Sequence, residues 1–353
     1  MTVLKLGSLF DGIGVFPLAA VHCGMEPVWA SEIEARPISI TKRHFPDMLH
    51  LGDITKISGA EIPPVDVITF GSPCQDLSQI GTRNGFAGKK SSLFYQAMRI
   101  IEEMRYATNG RYPAFCIWEN VAGAFSSNDR LDFAAMLSAF TGAEVSVPPR
   151  GWAHAGMVRG GCADTAWRLL DAQYWGEPAL VQRRKRVFVV ADFAGQRAGE
   201  VLFKPRTVLP FSTISGPGGL SATQRGGVPV AQTGRQVPIV RPFSLRRMRT
   251  MAQVGDQKGF CASFGRGGEP FPTLLASVTA PFSFWYEGEE RDGFLRVLTP
   301  LECERLMGLP ENWTKYGCKN EEISDHARYR ALGNSIALPC AEYVMAGIAE
   351  VMN

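Results

Sequence analysis

Apolar positions along the 353-residue chain come in short blocks separated by glycine, proline and charged residues. Val65, Val67, Ile68, Thr69 and Phe70 have the β-branched and aromatic character of a buried strand, which turns through Gly71-Ser72-Pro73 into Cys74 and Gln75. Val3 to Phe10 predicts a first strand, Asp11-Gly12-Ile13-Gly14 a tight turn, and Val15, Phe16, Leu18, Ala19 and Ala20 the start of a helix. Further strands are predicted at Val28 to Ser31, ending at Glu32, and at His50 to Ile54, with Asp53 near its end. Two more are predicted at Phe115 to Trp118, closing on Glu119-Asn120-Val121, and at Val187 to Ala191. Helical periodicity covers Leu93 to Met104, Asp129 to Phe140, Leu298 to Leu309 (Thr299 as N-cap, Pro300 at the first helical position) and Ile336 to Met352. Arg330 to Ser335 is expected to close with a glycine turn. Strands alternating with helices predict an α/β fold, a Rossmann-like sheet with helices on both faces and ligands at the carboxyl ends of its strands.

Periodicity is lost after Asp192, and Pro, Gly and Ser dominate Ile214 to Val230. Residues 1–194 are therefore expected to form a first domain, 195–296 a smaller irregular β-rich one, and 297–353 a return segment whose last helix packs back on the first. No internal repeat is evident. Lys204 to Arg266 holds ten Lys or Arg and one acid, Asp256, inside a chain whose net charge is only +3. Such a block suits a polyanion, although a solvated basic face would read the same. Hydrophobic residues at 45% and charged ones at 20% fit a globular protein. No apolar run reaches the ~18 residues that span a bilayer, and no signal peptide is apparent, so a cytoplasmic protein is expected. None of the eight cysteines forms a C-x-x-C pair, which argues against a zinc ribbon and for reduced thiols.

Candidate chemistry follows from placement. Cys74, set at a strand's carboxyl end by a Gly-x-Pro turn, is a candidate nucleophile, with a buried structural thiol as the bland alternative. The turn at Phe10, Gly12 and Gly14 is F-x-G-x-G and lacks a third glycine; its glycines let a ligand approach the backbone. Glu32, about 20 residues after the turn, stands where such folds bond ribose hydroxyls, with Glu34 second. Asp53 could accept from an adenine amino group or simply cap a turn. Glu119 shares the strand-end face of Cys74 and Glu32 and could act as an acid or bond a substrate. Gln79 to Ser92, rich in Gly, Ser and basic residues, reads as a lid loop. Gln182-Arg183-Arg184-Lys185-Arg186 abuts an apolar strand, so its alternate members are expected to be held by the sheet.

Taken in order, FDGIG at Phe10, SEIE at Ser31, GDI at Gly52, GSPCQDLS at Gly71, ENV at Glu119, QRRKRVF at Gln182, RVLTPLECERLMGLP at Arg296 and RALGNSIA at Arg330 resemble the cytosine-C5 DNA methyltransferases. Ser72 and Ile33 stand where that family often has a bulkier residue and an aromatic one. The resemblance implies a class I methyltransferase sheet, S-adenosylmethionine as methyl donor, duplex DNA as partner, no metal and a monomer. It implies Cys74 as the nucleophile adding to C6 of a flipped-out cytosine. Glu119 would contact N3 and the amino group, and Arg184 and Arg186 would hold base and backbone. Phe10, Gly12, Gly14, Glu32, Ile33, Asp53, Ile54, Pro73, Leu93, Asn334 and Ser335 would line the cofactor pocket. Gln75, Ser78, Arg225, Arg235, Arg246, Arg247 and Arg249 would touch DNA. Methylation of RNA, a catalytically silent DNA-binding relative and a nicotinamide oxidoreductase are the alternatives. The basic segment favours DNA, intact Cys74 and Glu119 disfavour the silent relative, and the missing third glycine disfavours the oxidoreductase.

Overall fold

A computed structural model describes residues 3–72, 93–204, 270–271, 273–274 and 297–353, together with the backbone alone of 239–242, 282–286 and 294–296. β1 (Lys5–Leu9), β2 (Glu26–Ser31), β3 (Leu49–His50), β4 (Val67–Phe70) and β5 (Phe115–Val121) form a parallel sheet in the order β3-β2-β1-β4-β5. β6 (Ala155–Arg159), β7 (Asp164–Asp171) and β8 (Lys185–Asp192) extend it antiparallel, in the order β5-β8-β7-β6. The strand order reverses beside β1, so the carboxyl ends of β1, β2, β4 and β5 share one edge at the topological switch point.

β4 and most of β5 and β8 are buried on both faces, which explains their near-continuous apolar runs. One face carries α1 (Val15–His22), α5 (Ala198–Leu202) and α8 (Leu338–Met352), packed on one another over Leu6, Val67, Phe115, Ile117, Phe188 and Val190. The other face is covered by α3 (Leu93–Ala107) and α4 (Leu131–Thr141). α3 buries Phe94, Ala97, Met98, Ile101 and Met104, the three-and-four spacing of one helix face. Its Phe94 meets Phe70 and Phe140 with ring centroids 5.9 Å apart in each pair, the first tilted and the second edge-on, an aromatic cluster that fixes the carboxyl end of β4. Between β1 and β2, the indole of Trp29 lies against Gly7, where an added Cβ would come within 2.2 Å of it. The pairing register shifts at that point. α2 (Ala35–His44) follows β2 and carries Thr41 and His44 toward the same edge.

Three further elements return the chain to the sheet: α6 (Pro300–Leu306), α7 (Asp325–Asn334) and α8. The expected cap at Thr299 is present as a reciprocal capping box with Glu302. A second, three-stranded antiparallel sheet pairs β9 (Ile239–Pro242), β10 (Phe282–Tyr286) and β11 (Phe294–Val297) in the order β11-β10-β9.

The course of the chain differs from the sequence expectation in four places. β6 and β7 have no clear apolar alternation, because Asp164 and Arg168 sit within β7. Asp164 accepts from Arg159 Nε (3.1 Å) and from the Ala198 amide (3.1 Å), and Arg168 donates to Tyr343 Oη (2.9 Å) and the Leu202 carbonyl (2.8 Å). Charges with dedicated partners hide a buried strand. The first domain's expected end at 194 falls short, since Ala198, Val201 and Leu202 of α5 are wholly buried in its core. The third strand is only Leu49–His50, followed by a 3₁₀ turn at Ile54–Lys56. Gly333 lies inside α7, so the expected glycine turn is a helix end.

Candidate active site

The glycine turn follows β1 directly. Phe10, Gly12 and Gly14 take left-handed conformations, with φ of 54°, 59° and 78°. Gly14 is doubly required, because an added Cβ would also lie 3.1 Å from the ring of Phe45. The Gly12 amide donates to Glu32 Oε2 (2.9 Å), while Glu32 Oε1 accepts from the amides of Ile33 (2.7 Å) and Glu34 (3.0 Å). Three backbone donors therefore fix the Glu32 carboxylate at the end of β2, directly beside the turn. Ile33 is 72% exposed at this place, an apolar side chain open to a planar ligand.

The sequence reading missed one residue here, Asp11. Both carboxyl oxygens are buried without a hydrogen-bond partner of good geometry. Burial pushes this acid up to about 7; the nearby Ser8 and Thr41 hydroxyls moderate the rise and Glu32 adds to it. An orphaned acid next to Glu32 makes the turn electronegative. That suits a ligand that is a nucleoside with a cationic sulfonium and ammonium, and S-adenosylmethionine is such a ligand. Among the described residues no three His, Cys, Asp or Glu are grouped to hold a metal ion.

Other expected pocket residues sort differently. Asp53 is the cap of the 3₁₀ turn: its Oδ1 accepts from the Thr55 amide (3.0 Å) and hydroxyl (2.8 Å), and these bonds hold its carboxyl below the usual range. Ile54 is buried in the core under α3 rather than open to the cleft. Leu93 begins α3 and is half-buried, Asn334 is exposed at the end of α7, and Ser335 follows it half-buried. The return segment reaches the turn through one buried hydrogen bond, a ring stack and an exposed ion pair. Trp313 Nε1 donates to the Ile13 carbonyl (2.8 Å), His44 stacks on Trp313 with centroids 3.6 Å apart, and Arg330 pairs with Glu34 at 2.6 Å.

The second half of the site lies where β4 and β5 end side by side. Ser72 is buried; its hydroxyl accepts from Trp118 Nε1 (3.1 Å) and its carbonyl from Asn120 Nδ2 (3.1 Å). Glu119 is 8% exposed. Its Oε2 would lie 3.2 Å from a Cβ placed on Gly71, so the carboxyl packs against the chain as it leaves β4. Arg186 Nε stands 3.0 Å from Glu119 Oε1. Burial nevertheless outweighs Arg186 and Arg184 and raises the Glu119 carboxyl above its ordinary range.

Arg184 does not reach the cleft, contrary to the sequence expectation. It is 1% exposed and its Nη atoms donate to the carbonyls of Leu274 (2.9 Å), Gly333 (2.9 Å) and Ser335. Burial lowers this guanidinium to about 9, which leaves it charged at neutral pH. Strand alternation explains the split within the pentamer: Arg184 and Arg186 turn inward, while Arg183 and Lys185 are exposed. Pro73, Cys74, Gln75, Ser78, the Gln79 to Ser92 loop, Arg225, Arg235, Arg246, Arg247 and Arg249 lie outside the described residues.

The model of the C-5 cytosine-specific DNA methylase family matches residues 4–205 and 245–350. The Type II methyltransferase M1.ScrFI of Lactococcus lactis subsp. cremoris is 27% identical over 99% of this chain and 78% of its own length. The Type II methyltransferase M.HhaI of Haemophilus parahaemolyticus is 23% identical over 100% of this chain and 96% of its own. A protein of Escherichia phage P1 described as a DNA N-6-adenine-methyltransferase is 24% identical over 98% of this chain, which spans 61% of that protein. Among solved structures, the Dnmt2 methyltransferase of S. pombe superposes with a TM-score of 0.59 at 15% identity, with both chains covered in full, and so shows the shared fold. The family match, over most of the chain and on both sides of the cleft, places the protein: it belongs to the C-5 cytosine-specific DNA methylases, enzymes that transfer a methyl group from S-adenosylmethionine to C5 of cytosine in DNA.

Proposed function

We propose that Cys74 and Glu119 act together on a cytosine flipped out of duplex DNA, at the edge where β4 and β5 end. Cytosine C5 is a poor nucleophile. Addition of the Cys74 thiolate to C6 breaks the ring's aromaticity and makes C5 enamine-like. The glycine turn and Glu32 would hold S-adenosylmethionine, which when bound would supply C5 with an electrophilic methyl group and leave as S-adenosylhomocysteine. Loss of the C5 proton and expulsion of the thiolate then restore the ring. The observation that carries this reading is the Glu119 carboxyl against Gly71, three residues before Cys74 in sequence. Burial favours its protonated form, which suits it to pass a proton to N3 and offset the negative charge that thiolate addition places on the ring. Arg186 fixes its orientation. Arg184 serves as a tie between the strand that carries Arg186 and the segment that carries Asn334 and Ser335.

The proposed partner is double-stranded DNA, bound by a monomer in the cytoplasm of a prokaryote. Unstacking the target costs a few kcal/mol, which contacts to the extruded base offset. DNA containing 5-fluorocytosine tests the mechanism, because fluorine is not lost as the proton is. A denaturation-resistant adduct is expected with the wild type and none with Cys74→Ser, which should still bind S-adenosylmethionine. Active enzyme that forms no adduct would overturn C6 attack. Mass spectrometry of nucleosides from methylated duplex and transfer RNA reads the product directly: 5-methylcytosine in DNA supports the reading, and N6-methyladenine, the product named for the phage P1 relative, refutes it.

A further inference from the structure

Next to the cleft, the ends of β7 and β8 frame a second concavity of about 610 Å³ that the reaction does not use. Arg168, Arg183 and Lys185 line it together with His154, Tyr174 and Asp171. Arg183 and Lys185 are exposed, and Tyr174 keeps 53% of its surface open. Arg168 is braced from behind, its guanidinium 5.8 Å from the Trp175 ring and 5.7 Å from that of Tyr343. The acid among the described lining residues is held by the protein: Asp171 Oδ1 accepts from the Arg184 amide (3.0 Å) and Oδ2 from Gln173 Nε2 (2.8 Å). The groove is thus cationic on its open side. Its place is fixed by the sheet. Arg186 pairs in register with Val121, at the end of β5, and Lys185 with Asp171, at the end of β7. The groove therefore continues the same strand edge on which Glu119 stands.

We propose that this groove seats the phosphate backbone of the DNA beside the target nucleotide, with Arg183 and Lys185 each on one phosphate. The inference rests on the reading of Glu119 as the residue that receives the flipped base. Strand alternation gives it a physical logic. The side chains of one pentamer that point inward carry the base-side ion pair and the internal tie, and those between them are left to face the nearest part of the duplex. Two exposed cations two residues apart, before and at the start of β8, beside a tyrosine that can pack on a sugar, suit a polyanion read by its backbone rather than by its bases. Lys and Arg contacts of this kind release counterions, so they are reported by salt.

The test is the binding of a mixed-sequence duplex of about 30 base pairs by the full chain, over about 50 to 200 mM salt, for three proteins. These are the wild type, Arg183→Gln/Lys185→Gln, and a control, Lys5→Gln/Arg111→Gln, whose exposed side chains precede or open β1 and β5 at the opposite edge of the sheet. Losing two phosphate contacts should flatten the log–log salt slope by about 1.8, so that across this range the wild type loses about 12-fold more affinity than the groove variant. S-adenosylmethionine affinity, measured by calorimetry on the same samples, should be equal in all three. Parallel salt plots for wild type and groove variant would overturn the proposal, as would an equal flattening in the control. Product analysis of the wild type keeps the two readings apart: a flattened slope from a protein that forms no 5-methylcytosine counts against the chemistry and leaves the groove standing.

Discussion

Asp11→Asn should stabilise the protein, and increasingly so as pH rises. The native carboxyl is pushed up to about 7 from 3.8 because it is buried without good partners and lies near Glu32. An unfolded aspartate ionises near its ordinary value. Between the two values the folded chain therefore binds the extra proton, so wild-type stability must fall as pH rises through this window and level off above about 7. Each pH unit crossed inside the window is worth about 1.36 kcal/mol, so the whole of it amounts to roughly 4 kcal/mol and the part between about pH 5 and 7 to about 3. Asparagine keeps the shape and removes the titration. Urea unfolding of both proteins near pH 5 and pH 8, without cofactor, gives the difference directly: the gap between variant and wild type should widen by about 3 kcal/mol from the lower pH to the higher. A gap that stays constant would refute the reasoning, since it would mean that Asp11 ionises alike in folded and unfolded chains. The cofactor side of the argument has the opposite sign. A cationic ligand relieves the unpaired acid, so S-adenosylmethionine should stabilise the wild type more than the variant near pH 8.

Three other outcomes follow from buried contacts. Gly14→Ala, forced to keep a φ of 78° against Phe45, should cost about 1–2 kcal/mol and weaken S-adenosylmethionine binding; calorimetric binding and thermal unfolding check both. Arg184→Met leaves the carbonyls of Leu274, Gly333 and Ser335 without their donor and should cost about 3 kcal/mol or more in urea unfolding. Glu304→Gln should cost about 3 kcal/mol by the same measure, because buried Arg328 (3.1 Å away) would keep only the exposed Asp325 (3.5 Å) as a counter-charge, and Glu304 also accepts from the Asn312 and Thr314 amides (2.8 Å each).

How much could be read in advance depended on how local each cause was. The glycine turn, Glu32, the strand before Cys74 and the capping box at Thr299 are set by neighbours within a few residues, and each lies where periodicity and turn chemistry place it. The placement of Glu119 near the carboxyl end of β5 also followed, because the apolar run Phe115 to Trp118 stops just before it. What failed was non-local. β7 hid behind Asp164 and Arg168, whose partners are Arg159, Ala198, Leu202 and Tyr343. Arg184 and Arg186 look interchangeable in a pentamer of near-identical letters. Only the position of Gly333 and Ser335, some 150 residues away in sequence, makes one a buried tie while the other pairs with Glu119. Asp11 carried no signal at all, since an aspartate in a glycine turn is ordinarily a solvated turn residue.

The same non-local bonds explain why the motifs can be spread across more than 300 residues and still make one site. α8 packs on α1, Trp313 bonds the carbonyl next to the glycine turn, Arg330 pairs with Glu34, and Arg184 holds the end of α7. Together these couple the return segment to the chain after β1, to the end of β2 and to the start of β8, and two of them, Trp313 and Arg184, are buried bonds that leave an unsatisfied carbonyl if broken. The segment after β11 is therefore packed as a wall beside the glycine turn rather than a tail. Loosening it at Arg184 should weaken S-adenosylmethionine binding even though that side chain touches neither the turn nor Glu32, whereas loosening the exposed Arg330–Glu34 pair should do so only slightly.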